Sequence, residues 1–195
     1  MRRAALLTLV AFIAVVGSAG AQPTPPIRSW AEPQIQQVVD AGLMGTSVAD
    51  FRPDDPLTAV ELATVLASLG MEVTEADTDR PVTVRELDAK LVTALGLRPQ
   101  ARGLRLGADA AGLLPRTSLG TETAARLLGL RVNHLKTQEE LELQLSQPAT
   151  RAEAAYSIAR VLALSDYELE AVREELEAFS FPQLSTWQQN VLRRA

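Results

Sequence analysis

The stretch PATRAEAAYSI, residues 148–158, contains a pattern that occurs twice more in this chain of 195 residues. Pro-x-Thr-x-x-Glu is repeated in PLTAVELATVL, residues 56–66, and in PVTVRELDAKL, residues 81–91. In each copy the Thr hydroxyl can accept a hydrogen bond from the backbone N–H three residues on, and the Glu at that position can reach back to the Thr N–H. These helix entrances predict three helices with the same start, capped by Thr58, Thr83 and Thr150.

The apolar residues behind the three entrances agree as well. Counting from the Thr, positions 4, 8 and 11 are apolar in every copy, and this spacing places them on one face of a helix. They are Leu62, Leu66, Leu69, Leu87, Leu91, Ala94, Ala154, Ile158 and Val161. We interpret the copies as an internal repeat whose helices face a common core.

Composition favours a helical fold and argues against a nucleic-acid partner. Aromatic residues make up only 4% of the chain while Ala and Leu are abundant, which favours helices over sheets. The formal net charge of −5 gives binding to nucleic acid no electrostatic support. We therefore expect an all-α protein that does not bind nucleic acid.

Residues 1–21 have the pattern of a cleaved secretory signal. Arg2 and Arg3 form a basic start, an apolar run covers residues 4–16, and a small-x-small cleavage site ends at Ala21. The apolar run is shorter than the roughly 20 residues that a membrane span needs. We expect a secreted protein without stable membrane insertion after cleavage, the alternative being an uncleaved anchor.

The remainder of the chain divides into three parts. The Pro-rich residues 22–27 predict an extended spacer, and residues 28–164 predict a domain of helix–loop–helix repeats. Residues 165–195 predict connector helices. The first of these begins in another capping box at Ser165, and the last runs to Ala195 without a residue that would end it.

The first unit of the repeat domain resembles an S-layer homology repeat. Its first helix is expected to begin in a capping box formed by Ser29 and Glu32. In that family a helix opening near Trp-Ala is followed by a Gly-rich loop, a Phe-x-Pro-Asp stretch and a Thr-Arg-Ala-Glu entrance. The corresponding residues here are Trp30-Ala31, Gly42-Leu43-Met44-Gly45, Phe51-Arg52-Pro53-Asp54 and Thr58-Ala59-Val60-Glu61. The third unit has the entrance residue for residue, Thr150-Arg151-Ala152-Glu153, whereas the second keeps only the Thr and the Glu.

The resemblance implies both an architecture and a ligand. In the family, three units pack as a helical pseudo-trimer and hold anionic cell-wall polymers in the grooves between them, with the Arg of the entrance as a main ligand. A cation beside free N–H groups at a helix start is suited to binding an anion. This chain has that Arg only at Arg151, because Ala59 and Val84 occupy the other two positions, and Arg85 is a candidate substitute one position later.

The resemblance also yields a set of candidate ligand-binding residues, namely Arg151, Glu153, Trp30 and Arg52. For Arg151 the alternative is a solvated or locally paired charge. For Trp30 a core or groove-edge role is favoured over stacking on a sugar. Phe51, in the same loop as Arg52, is expected to be a core anchor.

The order of signal, degenerate repeats and charged tail is similar to the N-terminal part of secreted proteins that continue into an NlpC/P60-like cell-wall peptidase. That catalytic domain needs a Cys nucleophile and a His base, whereas this chain has no Cys and one His, His134. The sequence also contains no zinc-ligand pattern, phosphate-binding loop or nucleophile motif in residues 22–195. We expect no catalytic residue, metal or cofactor, and we expect His134 to be a surface or turn residue. A peptidase domain beyond Ala195 would be a partner within a longer chain.

Three functions are therefore open at this point. The first is an exported module that binds cell-wall polysaccharide, peptidoglycan or their anionic secondary polymers at the cell wall or cell envelope. The second is a non-catalytic targeting or regulatory region of a cell-wall hydrolase. The third is a structural interaction domain that has kept the repeat scaffold and lost the ligand.

Overall fold

The computed structural model describes residues 29–72, 79–132, 143–186 and 188. Over these ranges the secondary structure consists of seven α-helices and three isolated β-bridges, which confirms the all-α prediction. The helices are α1 (Glu32–Asp40), α2 (Ala59–Ser68), α3 (Val84–Ala94), α4 (Arg98–Ala110), α5 (Leu119–Leu127), α6 (Arg151–Ala163) and α7 (Asp166–Ala178). The predicted signal and spacer, His134 and most of the final predicted helix lie outside the described residues.

The three repeated entrances form helix starts as predicted. The hydroxyls of Thr58, Thr83 and Thr150 accept hydrogen bonds from backbone N–H groups three residues on, at 3.2, 3.3 and 3.2 Å. In the first two entrances the Glu carboxylate also accepts from the Thr N–H, which completes the capping box. The helices that begin there, α2, α3 and α6, are the central helices of the three units.

The three Pro-x-Thr segments meet around a pseudo-threefold axis. Each segment forms an antiparallel bridge with both of the others: Pro56 with Thr150, Thr58 with Pro81, and Thr83 with Pro148. Between the bridges, the middle residues close a ring of backbone hydrogen bonds. The N–H of Leu57 donates to Ala149, that of Val82 to Leu57 and that of Ala149 to Val82, each at 2.8 Å. All three of these middle residues are buried, so the ring lies within the core.

A second set of backbone hydrogen bonds repeats this threefold order at the helix starts. The first N–H groups of a helix have no partner within the helix itself. Here the first residue of each central helix donates to the carbonyl that precedes the Pro of the next unit. The pairs are Ala59 with Arg80 at 2.9 Å, Val84 with Gln147 at 3.0 Å, and Arg151 with Asp55 at 2.9 Å. Neighbouring units thus complete one another's helix ends.

Two outer helices occupy equivalent places in this arrangement. Helix α1 packs against α6, and α5 packs against α3. Both outer helices are followed by a glycine with positive φ, Gly42 at 67° and Gly129 at 70°. The next residue in each case, Leu43 or Leu130, donates its N–H back to the helix at 2.9 Å. Helix α5 is therefore the counterpart of α1, and the third unit has an outer helix before its Pro-x-Thr segment, as the first unit does.

The start of α1 differs from the prediction. The expected capping box at Ser29 does not form, because α1 begins at Glu32 with Ala31 as its N-cap and no side-chain cap. The reason is Pro33. A helix starting directly after Ser29 would put Pro33 at its fourth position, where the ring lacks the N–H that should bond to Ser29. Starting at Glu32 places Pro33 in the second position, where that N–H is not needed.

Helices α4 and α7 pack on the second half of the repeat domain. Helix α4 contacts α5 and α7, and Val172 and Leu176 of α7 belong to the same cluster of buried residues as the central helices. Among the described residues no helix is long and apolar enough to cross a membrane.

Candidate functional site

The side chain of Arg151 lies inside the junction between the third and first units. It is only 6% exposed. Its Nε donates to the carbonyl of Phe51 at 2.8 Å, one terminal nitrogen forms an ion pair with Glu61, and the guanidinium lies 4.7 Å from the centre of the Phe51 ring. Burial lowers the pKa of Arg151, and the positive charge of Arg52 lowers it further. These contacts make Arg151 a bridge between two units.

The N–H groups beside Arg151 that the sequence led us to expect to be free are all paired. The N–H of Arg151 donates to Asp55, that of Ala152 donates to Pro53 at 2.9 Å, and that of Glu153 donates to the Thr150 hydroxyl. The physical reason is the ring of entrances, because carbonyls from the loop of the first unit occupy the positions at the helix start that a bound anion would take.

Arg52 lies in the same junction with its side chain 73% exposed, and it pairs with Asp55 at 3.3 Å. Its φ is +52°, which makes it the one non-glycine residue with positive φ among the described residues. The following residue, Pro53, adds to the strain, because a residue before Pro favours extended backbone.

Trp30 and Glu153 belong to a different place from the two arginines. Trp30 is half exposed and packs against Tyr156 of α6, with ring centres 5.9 Å apart. Both Trp30 and Glu153 line a small pocket that also contains Asp88 and Ser157. Arg151 and Glu153 are two positions apart on α6 and so point in different directions. The structure therefore divides the four predicted site residues into two pairs rather than one site.

A groove lined by four arginines lies between the second and third units. We call it the arginine groove; it has a volume of about 590 Å³ and is lined by Arg85, Arg116, Arg126, Arg131, Glu122 and residues 143–146. Arg85 is the second residue of α3, Arg126 lies in the last turn of α5, and Arg131 follows that helix. Four arginines and one glutamate therefore line one groove in a chain whose overall charge is negative.

Arg131 reproduces in this junction the contact that Arg151 makes in the other. Its terminal nitrogen donates to the carbonyl of Leu143 at 3.2 Å, and Arg131 is 8% exposed. Leu143 stands five residues before Pro148, as Phe51 stands five residues before Pro56. Equivalent carbonyls are thus held by guanidinium groups from different sequence positions. The repeat pattern could not reveal Arg131, because it comes from the loop after α5 and not from a helix entrance.

A buried carboxyl lies beneath the arginine groove. Asp88 of α3 is 2% exposed, and its Oδ2 is buried without a hydrogen-bond partner. Its nearest cation is Arg131, whose Nη1 lies 3.9 Å from that oxygen and 3.6 Å from Oε1 of Glu122. Burial raises the pKa of Asp88 to about 7. The signal that sequence reasoning missed is its position, because Asp88 stands on the face of α3 where a helix ordinarily places an apolar core residue.

These observations define an all-α protein with three helix entrances around a pseudo-threefold axis and a basic groove between two of its units. Within the described ranges, no group of three or more His, Asp or Glu side chains is placed to hold a metal ion. Comparison of the chain with protein-family models, with curated proteins and with solved structures gave no match in any of the three.

Proposed function

We propose that this protein is an exported, non-catalytic module that attaches to cell-wall glycan or its anionic secondary polymers at the cell envelope, as the S-layer homology resemblance suggests. The observation that carries the proposal is the arginine groove. Guanidinium groups bind carboxylate and phosphate through paired, charge-assisted hydrogen bonds. Because the net charge of −5 would repel a polyanion, binding requires a local concentration of positive charge such as this one.

Two of the lining residues are suited to meeting such a polymer directly. Arg85 and Arg116 are exposed, and they lie on different elements, α3 and the loop before α5. Arg126 and Arg131 lie deeper and hold Glu122 and the Leu143 carbonyl. In this arrangement the deeper pair orders the wall of the groove, while the exposed pair contacts the acidic groups of the polymer.

The junction between the third and first units, which contains Arg151, fits the third function considered above, a repeat scaffold that has lost its ligand. There Arg151 is buried and bonded to Phe51 and Glu61, so that this junction supports the scaffold and not a ligand. The proposal accordingly moves the binding role from Arg151 to the arginine groove. A role as the targeting region of a cell-wall hydrolase is compatible with the same groove.

The test is co-sedimentation of residues 22–195 with purified cell-wall sacculi, both intact and acid-stripped of secondary polymers. The unaltered chain is compared with Arg116→Ala and with Arg102→Ala, since Arg102 is also exposed but lies on α4 outside the groove. We expect pelleting with intact sacculi only, weakened roughly tenfold in Arg116→Ala and unchanged in Arg102→Ala.

Other outcomes would count against the proposal. No pelleting with either preparation would exclude wall attachment. Equal loss in both variants would show that general positive charge, and not the groove, supports the binding.

A further inference from the structure

We propose that the arginine groove binds its anion together with a proton, which is taken up by the buried carboxyl of Asp88. Anion binding would then be tighter in mildly acidic than in mildly alkaline solution. This inference rests on the proposed function and concerns the regulation of the same site.

The ionised form of Asp88 is poorly compensated by its surroundings. Its Oδ2 accepts no hydrogen bond, and the 3.9 Å to Arg131 Nη1 is too long for one. The same nitrogen lies closer to Glu122, at 3.6 Å, so two carboxylates share one guanidinium. A buried carboxylate without hydrogen bonds is costly, and protonation relieves that cost.

The charged groups around Asp88 come from three other elements. Arg131, in the loop after α5, and Arg126 of α5 favour the ionised form, while Glu122 of α5 and Glu153 of α6 oppose it. Burial outweighs these charges and raises the pKa to about 7. Trp30, on the segment before α1, lines the same pocket without adding charge. The carboxyl is therefore poised to titrate near neutral pH.

An anion in the groove would change this balance. It would bring negative charge to Arg131, the cation on which the ionised form of Asp88 depends, and would thereby favour the protonated carboxyl. By linkage, a bound proton must strengthen anion binding by the same factor. In chemical terms, binding of an anion to the ionised form draws one proton from solvent onto an Asp88 oxygen, and no covalent bond other than this O–H forms.

The experiment measures affinity for oligogalacturonate, whose carboxylates remain ionised throughout the range, at pH 6 and pH 8 by titration calorimetry. We expect the unaltered residues 22–195 to bind about five- to tenfold more tightly at pH 6. Asp88→Asn keeps the side chain neutral and nearly the same size. It should bind at both pH values as tightly as the unaltered chain does at pH 6. Asp109→Asn, on the exposed face of α4, should keep the full pH dependence.

Three results would overturn the inference. One is equal affinity of the unaltered chain at both pH values, and the second is an unchanged pH profile in Asp88→Asn. The third is no binding of oligogalacturonate at either pH; pelleting with intact sacculi that Arg116→Ala weakens would then keep the proposed function.

A second measurement keeps the inference testable if Asp88→Asn fails to fold. The carboxyl carbon of Asp88 can be titrated by ¹³C NMR in the unaltered chain, with and without saturating oligogalacturonate. The inference requires the pKa of Asp88 to rise when the anion is bound. An unchanged pKa would contradict it.

Discussion

Arg151 and Arg131 perform the same structural task at two junctions of the molecule. Each is buried; Arg151 donates to the carbonyl five residues before the Pro of the first entrance, and Arg131 to the carbonyl five residues before the Pro of the third entrance, within its own unit. Arg151 is compensated by Glu61, whereas Arg131 is shared between Glu122 and the buried Asp88. The charges of the first junction are therefore balanced. The second junction has the exposed Arg85 and Arg116 in addition to the buried Arg131 and Asp88.

At the residue scale, replacing Arg151 by Met should destabilise the fold. The change removes the bond to the Phe51 carbonyl and leaves the Glu61 carboxylate, 36% exposed, without its cationic partner. We expect a loss of roughly 2–4 kcal/mol in the free energy of unfolding, measured by urea denaturation. Arg52→Ala is the matched control, since it removes an exposed arginine from the same junction and should change stability by less than about 1 kcal/mol. Equal effects of the two changes would refute the bridging role of Arg151.

The buried carboxyl of Asp88 makes a prediction for stability against pH. Its pKa is raised from 3.8 in the unfolded chain to about 7 in the fold, so the folded state holds more protons between these values. Its contribution to the free energy of unfolding is therefore full below about pH 4 and is lost as the pH rises through 7. Asp88→Asn should be more stable than the unaltered chain at pH 8, by up to about 4 kcal/mol, and the gain should shrink by pH 4. A variant that is less stable at pH 8 would contradict this account.

Glu86 gives the opposite dependence. Its hydrogen bond with Arg80 is the main reason that its pKa is lowered to about 2. The stability that Glu86 contributes is present above about pH 4.5 and is lost as the pH falls towards 2. In Glu86→Gln the acid limb of the stability curve should become shallower, as thermal melts followed by circular dichroism between pH 2 and pH 5 would show. If this part of the curve were unchanged, the loss of stability at low pH would be due to other carboxylates.

The role of a single residue could be predicted only where the residue is part of the repeated sequence pattern. Thr58, Thr83 and Thr150 cap helices as predicted because capping depends on residues three positions apart. The burial of Arg151 depends on Phe51 and Glu61, which are 100 and 90 residues away in the chain. No local pattern carries information over that separation.

At the element scale, α4 and α5 approach each other through Gly120. A Cβ added at this glycine would lie 1.7 Å from the carbonyl oxygen of Ala101, so the helices would have to separate. Gly120→Ala should therefore lower the free energy of unfolding by about 3 kcal/mol or more. Gly103→Ala in α4 is the matched control, because nothing lies within 4 Å of the added carbon and Ala favours a helix. That change should stabilise by up to about 1 kcal/mol. If Gly120→Ala were neutral in thermal denaturation, the close approach would be wrong.

Helix starts could be predicted from the sequence where a capping residue marks them. The three entrances and the capping box at Ser165 predicted the starts of α2, α3, α6 and α7. Helices α4 and α5 have no side-chain cap, so neither of them has a start signal of this kind. Both helices are followed by a glycine with positive φ, Gly112 or Gly129, so it is their starts that the sequence leaves unmarked.

At the scale of the whole molecule, the ring of Leu57, Val82 and Ala149 sets the order of the units. Each unit donates to one neighbour and accepts from the other, so the ring closes without an unpaired edge. This closure brings the start of α3 beside the loop of the third unit, because the N–H of Arg85 donates to Leu145 at 3.0 Å. The arginine groove is thus a consequence of the ring and cannot be read from any one unit.

The most direct test of the central claim is an amide NMR titration of ¹⁵N-labelled residues 22–195 with the acidic polymer released from sacculi. The proposed function predicts that chemical-shift changes concentrate at the arginine groove, in residues 84–86, 116–131 and 143–146. Changes concentrated instead at residues 45–55 and 151–153 would return the binding role to Arg151. No changes at any polymer concentration would contradict the claim that this groove binds an anionic cell-wall polymer.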